Sequence, residues 1–369
     1  MPKTYRVAVI GRTGKGNYGH GLDVVWKGLD NVEVVAVADE DEKGRAAAAQ
    51  RLGVKNAYAD YREMLDKERP QIVSVADRWL DAHRDMVVAC AKAGAGVFLE
   101  KPFCRTLEEA DEMVRTCETH HVKLAIAHQT RYSPRLKVVR DLIGDGKVGE
   151  VLELRARGKE DARGGGQDLM VLGTHLFDLM RLLLGDARWC HARIWQNGKP
   201  ATKADVSQGG EGMGPVLGDW INATYGFDKG VEATFGSAKN RSDKETRFGL
   251  EIRGSKGIIQ LTTGSLPAAY FLDDPAWFPG RTKAQWQEIT SAGVGKPEPL
   301  KDGGLGQGNV WIAKDLIEAI EKDRQPLGSM YDGRAALEMI LAVYESHRLK
   351  GTAELPLKNR KHPLTMLSV

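Results

Sequence analysis

The chain has 369 residues, enough for two domains with substantial cores. Hydrophobic residues make up 42% and charged residues 28%, the balance of a soluble globular protein. Its 53 basic and 50 acidic side chains leave a net charge of +3, which gives no electrostatic case for nucleic acid or a membrane surface as a partner.

Cys90, Cys104, Cys117 and Cys190 lack the close spacing of a zinc knuckle or a disulfide framework, so no metal site is expected. Free thiols fit a reducing compartment. The first apolar run, 5–10, leaves no room for a signal peptide, and no run reaches bilayer length, so a cytoplasmic location is expected.

The first third alternates apolar runs at 5–10, 32–38, 72–76, 97–99 and 124–127 with helical patterns at 42–52, 82–93 and 107–119. The last opens with Thr106 and Glu109, the spacing of a capping box. Buried strands interleaved with helices predict βαβ units and a parallel sheet. Beyond about residue 128 the pattern changes. A helix is predicted over 134–143, an alternating strand over 150–157 and a helix over 168–184. Short strands with Gly-containing turns follow at 188–195, 220–227, 231–236, 248–253 and 257–261, as in an open, mainly antiparallel sheet. The stretch 200–218 reads as a loop, and helices at 310–322 and 333–350 close the chain. The fold class is therefore α/β, with a Rossmann-type parallel sheet over 1–128 and a second α/β domain over 129–369. The C-terminal helices within 310–350 can pack back on the first domain.

The first strand runs into Gly11-Arg12-Thr13-Gly14-Lys15-Gly16. Glycines there let backbone N–H groups approach a diphosphate, with a helix N-terminus adding partial positive charge. Asn17-Tyr18 in place of Lys-Ser/Thr argues against a P-loop. The dinucleotide pattern is met at Gly11 and Gly16, while Thr13 replaces the middle glycine and Gly14 sits one place later. The second strand ends at Asp39, followed by Glu40 and Asp41. An acid at that tip accepts bonds from ribose hydroxyls and repels a 2′-phosphate, so NAD is favoured over NADP. Asp41 can also cap the next helix.

Glu100-Lys101-Pro102 follows the run 97–99. Pro102 biases Lys101 away from helix and gives it a defined direction at the carboxyl end of a parallel strand. Desolvation and a cationic nicotinamide ring would lower the Lys101 pKa and suit it to take a hydroxyl proton. In Asp168-Leu169-Met170-Val171-Leu172-Gly173-Thr174-His175-Leu176-Phe177-Asp178, His175 and Asp178 are helix neighbours at i, i+3. His175 is then either a proton-relay or substrate group, or a satisfied core histidine.

Taken together the chain resembles the Gfo/Idh/MocA oxidoreductases. The matching features are the glycine loop at 11–16, Asp39, His83 before Ala93-Gly94, Glu100-Lys101-Pro102, and Arg131-Tyr132-Ser133-Pro134. Gly173-x-His175-x-x-Asp178 and the ending from Tyr331-Asp332-Gly333 to Tyr344-Glu345-Ser346 add to them. The resemblance implies a Rossmann domain and a second domain that builds homodimers or homotetramers, acting with NAD on a sugar, cyclitol or related polyol. It places Lys101 and His175 as catalytic residues. Gly11, Thr13, Gly14, Gly16, Asp39, His83, Glu100 and Gln129 fall to the cofactor, and Arg131, Tyr132, Asp168 and Asp178 to the substrate.

Two positions depart from the family. Val171 stands where an aspartate commonly precedes the histidine by four residues, with Asp168 about two turns from His175, or roughly 10 Å of rise, as the nearest substitute. Asp77-Arg78-Trp79-Leu80 replaces a Thr-Pro-Asn-like segment. Val171 keeps open the reading of a non-catalytic sensor of sugars or nucleotides, and a separate reading is an enzyme with tightly bound, internally recycled NAD that cleaves or epimerises a glycoside.

Overall fold

The computed structural model describes residues 4–241, 247–276 and 278–368. The chain forms two compact units. The first comprises residues 1–129, 210–214 and 305–334, and the second residues 130–209, 215–304 and 335–369.

Continuous apolar runs become buried strands in the first unit. Its strands are β1 (Tyr5–Ile10), β2 (Val32–Ala38), β3 (Asn56–Tyr58), β4 (Ile72–Val75), β5 (Gly96–Leu99) and β6 (Leu124–Ile126). They form a parallel sheet in the order β3-β2-β1-β4-β5-β6. The order reverses between β1 and β4, the switch point at which such sheets bind ligands. The helices are α1 (Glu42–Leu52), α2 (Tyr61–Glu68), α3 (His83–Lys92) and α4 (Leu107–Thr119). Asp41 caps α1 by accepting from Gly44 N–H at 2.6 Å. At α4 the expected capping box is half present. Thr106 Oγ1 accepts from Glu109 N–H, whereas the Glu109 carboxylate accepts from Arg105 N–H, one residue earlier than a box requires.

Residues 12–28 depart from expectation, because turns replace the helix predicted to follow the glycine loop. Gly14, Gly16, Gly19, Gly21, Gly28 and Asn17 all take positive φ, and each such residue interrupts a right-handed helix.

The second unit opens with α5 (Pro134–Gly144) and β7 (Val151–Arg157). The helix predicted over 168–184 is two helices, α6 (Gly166–Val171) and α7 (Gly173–Leu184). At the joint, Leu172 N–H bonds back to the Asp168 carbonyl and His175 N–H to the Leu172 carbonyl, so the ladder restarts one residue late. The loop predicted over 200–218 contains the short strands β10 and β11 described next.

Strands β8 (Trp189–Gln196), β9 (Lys199–Pro200), β10 (Ser207–Gln208), β11 (Pro215–Val216), β12 (Trp220–Gly226), β13 (Glu232–Ala238), β14 (Gly249–Gly254) and β15 (Ile258–Thr262) follow. Then come β16 (Ala269–Leu272), β17 (Gln287–Thr290), β18 (Gly293–Val294) and β19 (Thr352–Glu354). The large sheet runs β18-β17-β16-β15-β14-β7-β13-β12-β8-β19, with β9 on β8. Only β7–β13 is parallel among its described pairings.

Alternation along β7 buries Leu154 and Ala156 and turns Glu153, Arg155 and Arg157 to the other face. The buried face carries α7, where Phe177 packs its ring 5.4 Å from Tyr225 and 5.0 Å from Phe235. Helices α8 (Leu305–Glu321) and α9 (Met330–Leu349) complete the chain. Helix α8 lies on β5 and β6 within the first unit. Among the described residues no helix is long and apolar enough to cross a membrane.

Candidate active site

In the first unit, the carboxyl ends of the parallel strands gather the predicted cofactor residues on one edge. Gly11 ends β1, Asp39 follows β2, Asp77 follows β4, Glu100 follows β5 and Gln129 follows β6. The glycine loop closes on itself. Arg12 and Asn17 exchange backbone bonds at 3.0 Å, and Gly14 N–H reaches Asn17 Oδ1 at 3.1 Å. Among the described residues, no atom beyond Gly14 and its chain neighbours lies within 4 Å of where a Gly14 side chain would start, so that part of the backbone is open to a ligand.

Tyr18, which sequence reasoning passed over, lies on Gly11. A Cβ there would fall 2.3 Å from the ring. The Tyr18 hydroxyl donates to Asp39 at 2.9 Å. Asp39 also accepts from Thr13 Oγ1 (2.7 Å), Thr13 N–H and Asp41 N–H, and is buried. Thr13 and Tyr18 cover Asp39, so a ribose bound there would share its oxygens with them. Both acid neighbours, Glu40 and Asp41, remain at the strand end.

Asp77 is fully buried and pairs with Arg12 Nη1 at 2.8 Å, and Arg12 also reaches Asp81 at 2.9 Å. Burial pushes the Asp77 carboxyl up, against the pull of His83 and Arg12. Burial has the same tendency at Asp81, but the Arg12 bonds there prevail and its pKa falls. Gly16 meets Arg78 and Trp79, since a Cβ would fall 2.5 Å from the Arg78 Cβ. Arg78 in turn pairs with Glu211 at 2.7 Å. The altered segment after β4 thus folds tightly onto the glycine loop.

Both ring nitrogens of His83 face backbone carbonyls. It is fully buried, with Nδ1 3.0 Å from the Pro102 carbonyl and Nε2 2.7 Å from the Asp77 carbonyl. It braces the Lys101-Pro102 turn against the segment after β4. Glu100 is also fully buried. Burial opposes its ionisation, but His20 and Lys101 outweigh it and hold the carboxyl below the usual range. Lys101 is buried beside it. The Gln129 amide donates to Asn309 Oδ1 at 2.8 Å.

In the second unit the four predicted substrate residues divide. Arg131 and Asp178 bind each other, Nη2 to Oδ1 at 2.7 Å and Nε to both oxygens at 3.0 Å, and both are buried. Asp168 is fully buried on the separate helix α6, so the two-turn arrangement with His175 is not formed. Its carboxylate accepts from Ser237 Oγ (2.5 Å), Lys159 N–H (3.2 Å) and Glu160 N–H (3.1 Å). Burial is the main cause that raises its pKa, against those three bonds. The polar atoms of Arg131, Asp178 and Asp168 are thus engaged by the protein in this structure. Tyr132 is half-buried at the end of the short turn Gln129–Tyr132. His175 sits half-buried in the first turn of α7, its ring 6.4 Å from Phe248 at 75°. Val171 is buried at the end of α6.

Sequence reasoning missed His20, Asn309, Ser237 and Phe248. Asn309 offered a signal, as a polar residue on the apolar face of a helix. Among the described residues no group of three or more His, Cys, Asp or Glu could hold a metal ion.

A six-stranded parallel sheet with its switch point at a glycine-rich loop and an acid at the tip of β2 marks a dinucleotide-binding domain of the Rossmann type. The oxidoreductase family with NAD-binding Rossmann fold matches residues 5–128, and the GFO/IDH/MocA C-terminal domain matches residues 136–260. A D-apiose dehydrogenase of Paraburkholderia graminis is 25% identical over 350 residues, covering 89% of this chain and 85% of that protein. A levoglucosan dehydrogenase of Pseudarthrobacter phenanthrenivorans is 25% identical over 357 residues, covering 87% and 89%. A solved levoglucosan dehydrogenase in complex with NADH and levoglucosan shares the fold, with a TM-score of 0.76 at 20% identity over 96% of this chain and 100% of that one. The chain belongs to the Gfo/Idh/MocA family and is an NAD-dependent oxidoreductase.

Proposed function

We propose that this protein oxidises a secondary alcohol of a sugar, cyclitol or related polyol, with Lys101 as general base and His175 hydrogen-bonding a substrate hydroxyl. The observation that carries this reading is the Glu100-Lys101-Pro102 turn at the carboxyl end of β5, on the same sheet edge as the glycine loop. The dehydrogenases of apiose, levoglucosan and inositol among its relatives support the substrate class.

NAD, when bound, supplies the hydride acceptor. The backbone of Gly11–Gly16, with Thr13 and Asp39, would hold it, and the acids at the tip of β2 disfavour a 2′-phosphate. Lys101 takes the hydroxyl proton, for which it must be uncharged. A positioned base contributes about 10²–10⁴-fold to rate. Incubation with NAD and a panel of sugars and cyclitols, followed by absorbance of the reduced cofactor, is expected to find turnover. Lys101→Ala should reduce it about 10²-fold or more with NAD affinity retained. A full rate in that variant removes the lysine from the mechanism.

We further propose a cytoplasmic homodimer or homotetramer. Four buried free cysteines suit a reducing compartment, and the family resemblance supports the assembly, which light scattering on the purified protein measures.

A further inference from the structure

A fully buried carboxylate stays ionised only where donors meet its oxygens. Glu100 is met by His20 and by the backbone of the residue that follows it. Oε2 accepts from the His20 backbone N–H at 3.2 Å, both oxygens stand 3.2 Å from His20 Nδ1, and Oε1 accepts from the Lys101 backbone N–H at 3.1 Å. The seat is tight. A Cβ at Gly19 (φ +60) would fall 2.5 Å from Glu100 Oε2 and 2.8 Å from the Ala76 carbonyl.

His20 is anchored in turn. Its carbonyl accepts from Asn309 Nδ2 at 3.0 Å, and Asn309 Oδ1 accepts from Gln129 Nε2 at 2.8 Å. Asn309 is fully buried on α8. A continuous set of hydrogen bonds therefore links the residue after β6, helix α8, the glycine-rich segment and the turn that bears Lys101. All of it lies within the first unit.

We propose that His20, Glu100 and Asn309 are positioning residues, a buried tether that fixes the Glu100-Lys101 turn and sets the charge beside Lys101, so that Glu100 acts on the lysine rather than on the cofactor. This rests on the reading of Lys101 as the base. The charged or titratable groups facing Glu100 in this network are His20 and Lys101, while Asn309 and Gln129 are neutral. A buried negative charge favours the lysine's ammonium form. Neutralising it lets Lys101 lose its proton at lower pH, and a base works in its unprotonated form. The acid limb of the kcat profile therefore moves down.

The test measures NAD affinity by fluorescence titration, and kcat and KM across pH, for wild type, Glu100→Gln, His20→Ala, His20→Asn and Asn309→Ala. For Glu100→Gln the expected result is an NAD affinity within about threefold of wild type, a kcat lowered roughly tenfold, and an acid limb about one pH unit lower. His20→Ala should lower kcat, and His20→Asn, whose amide still donates to the carboxylate, should restore most of it. Asn309→Ala should lower kcat without moving the limb. A tenfold loss of NAD affinity in Glu100→Gln with the limb unmoved overturns the proposal and makes Glu100 a cofactor contact. Lys101→Met separates the two readings, because an acid limb that persists there belongs to another group and removes the lysine as base. The tether is then judged by unfolding free energies of His20→Asn, Glu100→Gln and the double variant, where coupling upholds it and simple additivity overturns it.

Discussion

His362 shows what burial does to one titratable side chain. Its ring caps the turn Pro363–Met366, with Nδ1 accepting from Leu364 N–H, while Nε2 has no hydrogen-bond partner among the described residues. Burial pushes its pKa down from 6.5 to about 4. The unfolded chain therefore takes up the proton first as pH falls, and stability present above about pH 6.5 is lost on the way down to about pH 4. Between roughly pH 7 and pH 5 the loss from this residue should be about 2 kcal/mol. His362→Asn keeps an acceptor for the cap and should flatten that part of the profile, as read by urea unfolding at the two pH values. An unchanged slope would show that the folded state does not depress the His362 pKa. The same physics bears on the charged residues of the second unit. Arg131, Asp178 and Asp168 carry the charges expected of a substrate site, yet each is buried with its partners already in place. Sequence reveals the charge but not the partner across the fold.

At the scale of elements, the glycine loop shows both what is readable and what is not. Its place at the end of β1 follows from spacing. Its packing does not, because Tyr18 returns to Gly11 through a run of positive-φ residues that no helical or strand period describes. Gly11→Ala tests this packing. The new methyl would enter the Tyr18 ring space, displacing a hydroxyl that holds Asp39. NAD affinity should fall about tenfold or more, a loss of about 1.4 kcal/mol. Gly94→Ala is the control, since that glycine has φ +74 with nothing within 4 Å. It should cost about 1 kcal/mol of stability and leave NAD affinity intact. Equal affinities in the two variants would mean that Tyr18 moves freely and does not support Asp39. Strands β1, β2, β4, β5 and β6 were legible because strands buried on both faces read as unbroken apolar runs. Strand β3 is short and half-exposed, and β16 to β18 have two to four residues each, too few to show a period.

For the molecule as a whole, the first unit is discontinuous in sequence. Its third segment, residues 305–334, supplies helix α8, whose buried face includes Ile312, Leu316 and Ile317. Ile320 lies so close to Gly96 that a Cβ there would come within 2.8 Å. Beyond α8, the Gly328 carbonyl accepts from Ile126 N–H at 2.9 Å, and Ser329 bridges Ala125, covering the open edge of β6. Phe103 packs against Gly333. Removing these residues would expose apolar surface worth on the order of 5–10 kcal/mol for the three helix side chains alone. That is comparable to the whole stability of a typical domain, and an uncovered strand edge adds a hazard of self-association. A fragment of residues 1–129 should therefore lack a cooperative unfolding transition and aggregate, although it spans the entire match to the NAD-binding family model. Joining residues 305–334 to it through a flexible linker should restore a cooperative transition that NAD shifts upward, because a ligand of the folded state adds about 2.7 kcal/mol at a hundredfold excess over Kd. Circular dichroism melts with and without NAD read both outcomes. A fragment of 1–129 that melts cooperatively and binds NAD unaided would show that the third segment is dispensable, and that the Asn309 link to His20 acts on a domain already complete.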